Sequence, residues 1–258
     1  MKDGERYIPE AKDNTIGIDV NSKHNLLSLS NGETYDFDRR LLEDFCELSL
    51  RVDNFKSKNK EYKTGKRKQR KLNTLKNKIN KYEENLIASV CKHLSEEGYH
   101  HVVMENLDNG FSKSFVKDEN DINYNRRVKF LGLSSIKDKF EHIGRKYDIA
   151  VSLVHSAYTS KQCPVCGCID DDNRKCQETF RCVECGHEVN ADLNAAVNIK
   201  NRVDITVLCD KLLKQVDNGS FKPKPLKRAK VKEVLLSCRN NIVKDMEESK
   251  LLTIVNNC

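Results

Sequence analysis

Residues 15–20, TIGIDV, form a short run of apolar and β-branched residues that also contains one carboxylate, Asp19. Such a run predicts a buried β-strand. A carboxylate within a buried strand costs free energy unless it is paired or binds a metal ion. The stretch therefore predicts the first strand of the fold and, within it, a candidate metal ligand.

Two further strand-like runs follow at 24–30 and 34–37, on either side of Asn31-Gly32. Asn-Gly between two such runs is a strong hairpin signal, so the first 40 residues predict three antiparallel strands. A long helical region comes next, and Gly98 stands where its end is expected. Its apolar face repeats at spacings of three and four residues and consists of Leu72, Leu75, Ile79, Tyr82, Leu86, Val90 and Leu94.

The remaining segments complete an α/β order. The sequence predicts a fourth strand at 101–107, a loop at 109–125, a helix over 128–147, a fifth strand at 149–154, a turn-rich insert at 163–185, a helix over 191–202 and two less certain helices at 205–216 and 231–243, joined by a basic linker at 218–230. Three strands, helix, strand, helix, strand, insert and helix is the RNase H-like order, a mixed sheet with flanking helices.

Two CxxC motifs, CPVC at 163–166 and CVEC at 182–185, are separated by fifteen residues. Each is followed by glycine, Gly167 or Gly186, which suits a turn with positive φ. This spacing is typical of tetrahedral thiolate coordination, in which each motif presents two sulfurs to one structural Zn²⁺ ion. The predicted zinc ligands are Cys163, Cys166, Cys182 and Cys185.

The net charge of +7 is concentrated in residues 56–81, which hold twelve Lys or Arg and one acid. A basic segment of this density indicates a polyanion such as nucleic acid, although a solvated helix face or a disordered tail has the same composition. The candidate contacts in this segment are Lys66, Arg67, Lys68, Arg70, Lys71 and Lys78.

The chain has eleven cysteines, no apolar run of eighteen residues and no apolar segment of signal-peptide type in its first 14 residues. These features predict a protein that is not secreted, does not span a membrane and lies in the reducing cytoplasm, associated with the nucleoid. In that compartment paired cysteines bind metal more often than they form disulfides.

Glu105, in VVMENL, and Asp192, at the start of a predicted helix, are two further acids on rigid elements. Each has a simpler explanation, a salt bridge for Glu105 and a favourable helix dipole for Asp192. Together with Asp19 they predict a site for two Mg²⁺ or Mn²⁺ ions roughly 4 Å apart, the arrangement used in phosphodiester hydrolysis. The three acids are therefore the candidate catalytic residues.

The chain resembles the TnpB-like proteins of bacterial insertion sequences, relatives of the miniature type V CRISPR nucleases. The matching segments are GIDVN at 17–21, the Lys-rich helical stretch, VVMENL at 102–107, YTSKQCPVCG at 158–167, FRCVECG at 180–186 and NADLNAAVNI at 190–199. The resemblance implies a RuvC-like endonuclease that uses Mg²⁺, with Asp19, Glu105 and Asp192 as its catalytic acids. It also implies DNA as substrate, a guide RNA as partner and a phosphate contact for Arg181.

This resemblance divides the chain into a lead-in at 1–13, a RuvC core with a basic helical insert at 14–157, a zinc ribbon at 158–190, a last RuvC helix at 191–203 and a basic extension at 204–258. Family members carry a long region that grips the guide RNA, whereas about fourteen residues precede the first strand here, so that region is expected to be missing. Asn190 stands where the family often has Asp.

Two alternatives stay open at this point. One is a nuclease that recognises branched DNA without a guide RNA, as junction resolvases do. The other is a non-catalytic nucleic-acid-binding protein. The oligomeric state does not follow from the sequence.

Overall fold

A computed structural model describes residues 14–21, 26–58, 66–107, 133–176, 178–203 and 228–237. Its main sheet has the strand order β3-β2-β1-β4-β5, in which the central β1 is antiparallel to β2 and parallel to β4. The edge strand β5 is parallel to β4. The five strands are β1 (Thr15–Val20), β2 (Leu27–Leu29), β3 (Thr34–Tyr35), β4 (His101–Glu105) and β5 (Ala150–Val154).

Helices flank this sheet, and a small two-stranded hairpin precedes one of them. The helices are α1 (Arg39–Lys58), α2 (Lys66–Glu96), α3 (Leu133–Gly144), α4 (Ala191–Lys200) and α5 (Arg228–Ser237), and the hairpin strands are β6 (Thr179–Arg181) and β7 (Glu188–Asn190). This architecture confirms the predicted mixed α/β, RNase H-like fold with an inserted four-cysteine module.

The two faces of the sheet are covered differently. Ile16, Ile18, Val102 and Met104 belong to the large core with apolar residues of α1, α2 and α3. Because strand side chains alternate between faces, the residues between these point to the other side. There Val103 of β4 packs with apolar side chains of α4 and the turn after it, in a smaller cluster. Helix α4 thus covers the face opposite to the large core.

Several predicted strands and helices are confirmed, and their ends differ from the predicted ones by one or two residues. Gly32, in the predicted hairpin turn, has a φ of +94°, and Gly98, at the predicted helix end, has a φ of +84°. The predicted long helical region contains two helices, α1 and α2. An ion pair between the buried Glu83 of α2 and Lys139 of α3 joins α2 to α3.

Helix α5 begins at Arg228, so the last three residues of the predicted basic linker are helical, and the predicted helix at 231–243 is helical as far as it is described, to Ser237. Its apolar side chains Val231 and Leu235 pack against Ile169 of the cysteine-rich insert. The predicted loop at 109–125 and the predicted helix at 205–216 lie outside the described residues. In the part of the chain that is described, no helix has the length and apolar character needed to cross a membrane.

Candidate active site

Asp19 and Glu105 lie side by side on neighbouring strands. The parallel register pairs Gly17 with Val103 and Ile18 with Met104, so the next positions are Asp19 and Glu105. Gly17 and Val103 face α4, and the two acids follow them by two residues each. Because strand side chains have a period of two, the acids lie on the same face as Gly17 and Val103. The pleat therefore directs both carboxylates to the face that α4 covers.

Helix α4 approaches β1 closely because position 17 is glycine. A Cβ atom at Gly17 would lie 2.1 Å from the carbonyl oxygen of Ala196 and 2.7 Å from the backbone nitrogen of Lys200. No side chain fits in that space, since real Cβ contacts essentially never fall below 3.0 Å. The absence of a side chain at residue 17 is thus what brings α4 onto the strand that carries Asp19.

The first turn of α4 places Asp192 on the same site. Asn190 is the N-cap, and its side-chain oxygen accepts hydrogen bonds from the backbone N–H groups of Asp192 at 2.9 Å and Leu193 at 3.1 Å. Asn serves as an N-cap as well as Asp does. The departure from the family pattern at Asn190 therefore keeps the helix start and removes one negative charge beside Asp192, which is 5% exposed.

Glu105 and Asp192 are close enough to Asp19 to affect its ionisation. Burial raises the pKa of Asp19 well above its usual value, and the charges of Glu105 and Asp192 raise that pKa further. Burial also raises the pKa of Glu105, while the Thr159 hydroxyl group and the Arg202 guanidinium act in the opposite direction. Converging carboxylates of this kind are stabilised in their ionised form by a bound cation.

Arg174 is a site residue that the sequence analysis missed. Its Nη2 atom lies 3.6 Å from Asp192 Oδ1, and its charge lowers the pKa of Asp19. By contrast, Arg181, the predicted phosphate contact, lies on the exposed β6–β7 hairpin with its Nε atom 3.7 Å from Glu188 Oε2. The cysteine-rich insert thus contributes Arg174, rather than Arg181, to the surroundings of the acids.

The four predicted zinc ligands meet at one point. The sulfurs of Cys163 and Cys185 are 3.6 Å apart, those of Cys166 and Cys182 are 3.5 Å apart, and all four lie within 4.8 Å of one another. Four sulfurs at about 2.3 Å from a tetrahedral zinc ion would be separated by about 3.8 Å, so the cluster fits this metal. Among the described residues, these cysteines are the only group of three or more Cys, His, Asp or Glu side chains found close enough together to hold one ion.

Backbone turns and one buried amide hold the cysteine cluster. Gly167 and Gly186 follow the two motifs with φ values of +71° and +73°, and their N–H groups donate to the carbonyls of Cys163 and Cys182. The fully buried Asn173 donates to the carbonyls of Lys161 and Cys168 and accepts from the Val183 N–H group. The first half of the insert is therefore tied to the second motif independently of any metal.

Three of the predicted nucleic-acid contacts are visible on α2. Arg70, Lys71 and Lys78 are exposed, on a helix whose opposite side packs in the large core through Ile79 and Ile87. The side chains of the other three, Lys66, Arg67 and Lys68, lie outside the described part of the chain.

The part of the chain that contains the cysteine cluster and Asp192 is similar to known proteins. Residues 134–199, which contain the cysteine cluster and Asp192, match the family described as Cas12f1-like, TNB domain. Over 64 residues, 25% of this chain, the sequence is 42% identical to the CRISPR-associated endodeoxyribonuclease Cas12f1 of Sulfoacidibacillus thermotolerans. This part of the chain is therefore similar to the Cas12f1 proteins.

Two TnpB-like proteins match longer parts of the sequence. It is 29% identical over 136 residues, half of its length, to the TnpB-like protein aq_aa05 of Aquifex aeolicus. It is 27% identical over 203 residues to the TnpB-like protein MJ0751 of Methanocaldococcus jannaschii, covering 74% of this chain. The resemblance inferred from the sequence motifs is confirmed.

The matched regions form only part of several relatives. The chain spans 15% of the length of the S. thermotolerans Cas12f1, 42% of aq_aa05 and 69% of MJ0751. Among solved structures, a cryo-EM structure of the Cas12f1-sgRNA-target DNA complex aligns with a TM-score of 0.47 and 23% identity. That alignment covers 72% of this chain and 49% of the solved chain.

Proposed function

We propose that this protein is a divalent-metal-dependent endodeoxyribonuclease with Asp19, Glu105 and Asp192 as its metal ligands. The observation that carries the proposal is the placement of two acids around Asp19, Glu105 on the adjacent strand and Asp192 on the helix that docks over Gly17, both near enough to raise the pKa of Asp19. Carboxylate oxygens are the donors that Mg²⁺ and Mn²⁺ prefer. Two such ions, when bound, supply an activated water molecule and stabilise the leaving oxygen.

The chain's own residues would contribute orientation and charge. The strand backbone fixes Asp19 and Glu105, and the N-cap at Asn190 fixes Asp192. Arg174, beside Asp192, is placed to contact the phosphate group that carries the developing negative charge, because a guanidinium group is a planar donor suited to phosphate. The phosphate contact predicted for Arg181 stays a separate prediction.

The proposed substrate is DNA, recognised with the help of a guide RNA. The relatives named as CRISPR-associated endodeoxyribonucleases and TnpB-like proteins support this choice. The exposed cations of α2 would contact phosphates without regard to base sequence, so binding should weaken steeply with salt. We also propose association with a transposon, as the TnpB-like relatives suggest.

The cysteine cluster would hold one structural zinc ion. All four sulfurs come from the protein, which leaves no open position for substrate, so the role is structural rather than catalytic. Burial raises the pKa of Cys163 to about 12, so four thiolates are not expected to coexist at this point without a cation.

Cleavage of plasmid and oligonucleotide DNA tests the assignment of the acids. We expect Asp19→Asn and Asp192→Asn to lower the Mg²⁺-dependent rate by about 100-fold or more, since each removes a charged metal ligand, and to leave nucleic-acid binding intact. The matched control is Asp148→Asn, at a side chain that is 99% exposed just before β5, at the other end of the sheet. Wild-type rates for either active-site variant would contradict the assignment.

The nucleic acid bound after purification separates the alternatives. RNA of defined length that directs cleavage supports a guided nuclease. Cleavage of four-way junctions by an RNA-free protein supports the junction-resolving alternative. Tight binding to DNA with no Mg²⁺- or Mn²⁺-dependent cleavage of any of these substrates would support a non-catalytic binding protein and overturn the proposal.

A further inference from the structure

The turn at residues 156–162, which leads into the cysteine-rich insert, contacts one of the three acids directly. The hydroxyl group of Thr159 donates a hydrogen bond to the Glu105 carboxylate, and Thr159 is 4% exposed. The same hydroxyl oxygen lies 3.1 Å from the carbonyl oxygen of Ser156. A threonine hydroxyl has one hydrogen, and an ionised carboxylate is the stronger acceptor, so a metal-binding Glu105 would keep that bond.

The backbone beside Thr159 adopts a conformation that bulky residues rarely take. Tyr158 has a φ of +64°, and its carbonyl oxygen accepts the N–H groups of Lys161 at 3.1 Å and Gln162 at 3.0 Å. The Tyr158 side chain packs against the cluster around Ile169 and α5. Left-handed backbone at a residue other than glycine persists only where the surroundings enforce it, and such residues concentrate at functional sites.

Helix α4 and the turn after it hold residues 156–162 through polar side chains at a spacing of four residues, Asn194 and Asn198 on the helix and Arg202 just beyond its end. The Asn198 amide group donates to the carbonyl oxygens of Thr159 at 2.8 Å and Gln162 at 2.7 Å. The Asn194 amide group donates to the same Gln162 carbonyl oxygen at 3.1 Å. The helix that carries Asp192 therefore also fixes the backbone of Thr159.

Arg202, 3% exposed, completes this arrangement. Its guanidinium group donates to the carbonyl oxygens of His155 at 3.0 Å and Ala157 at 2.5 Å, and to the side-chain oxygen of Gln162 at 2.8 Å. Its positive charge also favours the ionised form of Glu105, because it lowers the pKa of that acid. A buried cation with three acceptors is a rigid anchor for the turn.

We infer that Thr159 is a positioning residue, which holds the Glu105 carboxylate in the orientation required for binding a divalent ion. The inference rests on the proposed function, since it assigns Glu105 as a metal ligand. Glutamate has three rotatable side-chain bonds, and an unrestrained carboxylate would lose that freedom on binding metal. Groups that orient metal ligands typically change metal affinity 10–100-fold when removed.

The test replaces the hydroxyl group and measures metal binding separately from cleavage. Mn²⁺ affinity is measured by electron paramagnetic resonance, and initial cleavage rates are measured across a range of Mg²⁺ concentrations. We expect Thr159→Val to raise the Mn²⁺ dissociation constant and the Mg²⁺ midpoint by about 10-fold, while saturating metal restores most of the rate. Thr159→Ser, which keeps the hydroxyl group, should behave like the wild type.

Two further variants make the result specific. Thr34→Val removes a threonine hydroxyl group from the exposed edge strand β3, far along the sheet from β4, and should change neither quantity. Thr159→Ala, whose smaller side chain cannot clash, repeats the test if the valine variant does not fold. Urea denaturation of each variant shows whether a loss of metal affinity merely follows a loss of folded protein.

The possible failures are distinguishable. If the wild type binds Mn²⁺ in a manner that Asp19→Asn abolishes, and Thr159→Val binds it equally well, only the positioning role is wrong. A Thr159→Ser variant as impaired as Thr159→Val would also overturn that role. If the wild type has no Mn²⁺ site that depends on Asp19, the proposed function fails, and the inference fails with it.

Discussion

Substitution of Gly17 by alanine should displace the helix that completes the active site. The added Cβ atom would lie 2.1 Å from the Ala196 carbonyl oxygen, and a distance of at least 3.0 Å is needed. Helix α4 must therefore move away from β1 by about 1 Å, because the obstructing atoms are backbone and cannot rotate out of the way. Asp192, in the first turn of α4, moves with it.

The expected change in the free energy of unfolding combines two effects of opposite sign. Overpacking of a filled site costs about 1–3 kcal/mol, and a backbone obstruction places Gly17→Ala at the upper end of this range. Alanine restricts the unfolded chain and recovers about 0.4–1 kcal/mol. We expect a net loss of about 2 kcal/mol in the free energy of unfolding. A displacement of 1 Å at a catalytic group lowers the rate by about 100-fold.

Urea denaturation followed by circular dichroism measures the loss of stability, and Mg²⁺-dependent cleavage measures the loss of activity. The matched control is Gly144→Ala at the end of α3, where the backbone is helical and the nearest obstruction, the Ile149 carbonyl oxygen, is 3.1 Å away. That variant should lose clearly less stability than Gly17→Ala, because Ile149 has to yield by only a few tenths of an ångström. If Gly17→Ala unfolds and cleaves like the wild type, the contact between α4 and β1 does not place Asp192.

Other predictions concern zinc, salt and pH. Zinc analysis should find one ion per chain, lost in Cys182→Ser together with thermal stability and retained in Cys176→Ser; a wild type without zinc would contradict the assignment. Lys71→Gln should reduce the slope of log K for DNA against log salt by about 0.9, and an unchanged slope would exclude a phosphate contact there. Pairing of His93 with Glu33 raises the pKa of His93 and lowers that of Glu33, so the pair should stabilise the fold most between the two pKa values. The destabilisation caused by His93→Ala should therefore shrink as pH rises through the His93 pKa, and a penalty that is constant from about pH 5 to 9 would refute the pairing.

Local sequence patterns predicted most of the elements that carry the candidate site. The apolar, β-branched run TIGIDV, the Asn-Gly turn and the two CxxC motifs each depend on neighbouring residues only, and each is found in the structure. The register that sets Asp19 beside Glu105 joins segments more than 80 residues apart, so no local pattern contains it. From the sequence, it was the family resemblance that predicted these two acids to belong to one site.

Residues whose roles depend on tertiary packing were missed. Arg174 lies in a run of charged residues without periodicity, and it reaches Asp192 only because the cysteine-rich insert folds back onto α4. Thr159 belongs to a turn whose shape depends on Tyr158 and on two buried side chains of α4. The phosphate contact of Arg181 came from the family resemblance and stays a prediction, since the structure shows this residue only beside Glu188 on the β6–β7 hairpin.

Anomalous diffraction from crystals of the protein soaked in Mn²⁺ tests the central claim most directly. The account predicts manganese bound at about 2.0–2.2 Å from carboxylate oxygens of Asp19, Glu105 and Asp192, as two ions roughly 4 Å apart. Manganese that touches none of these three acids, in crystals where the four cysteines still hold zinc, would contradict it.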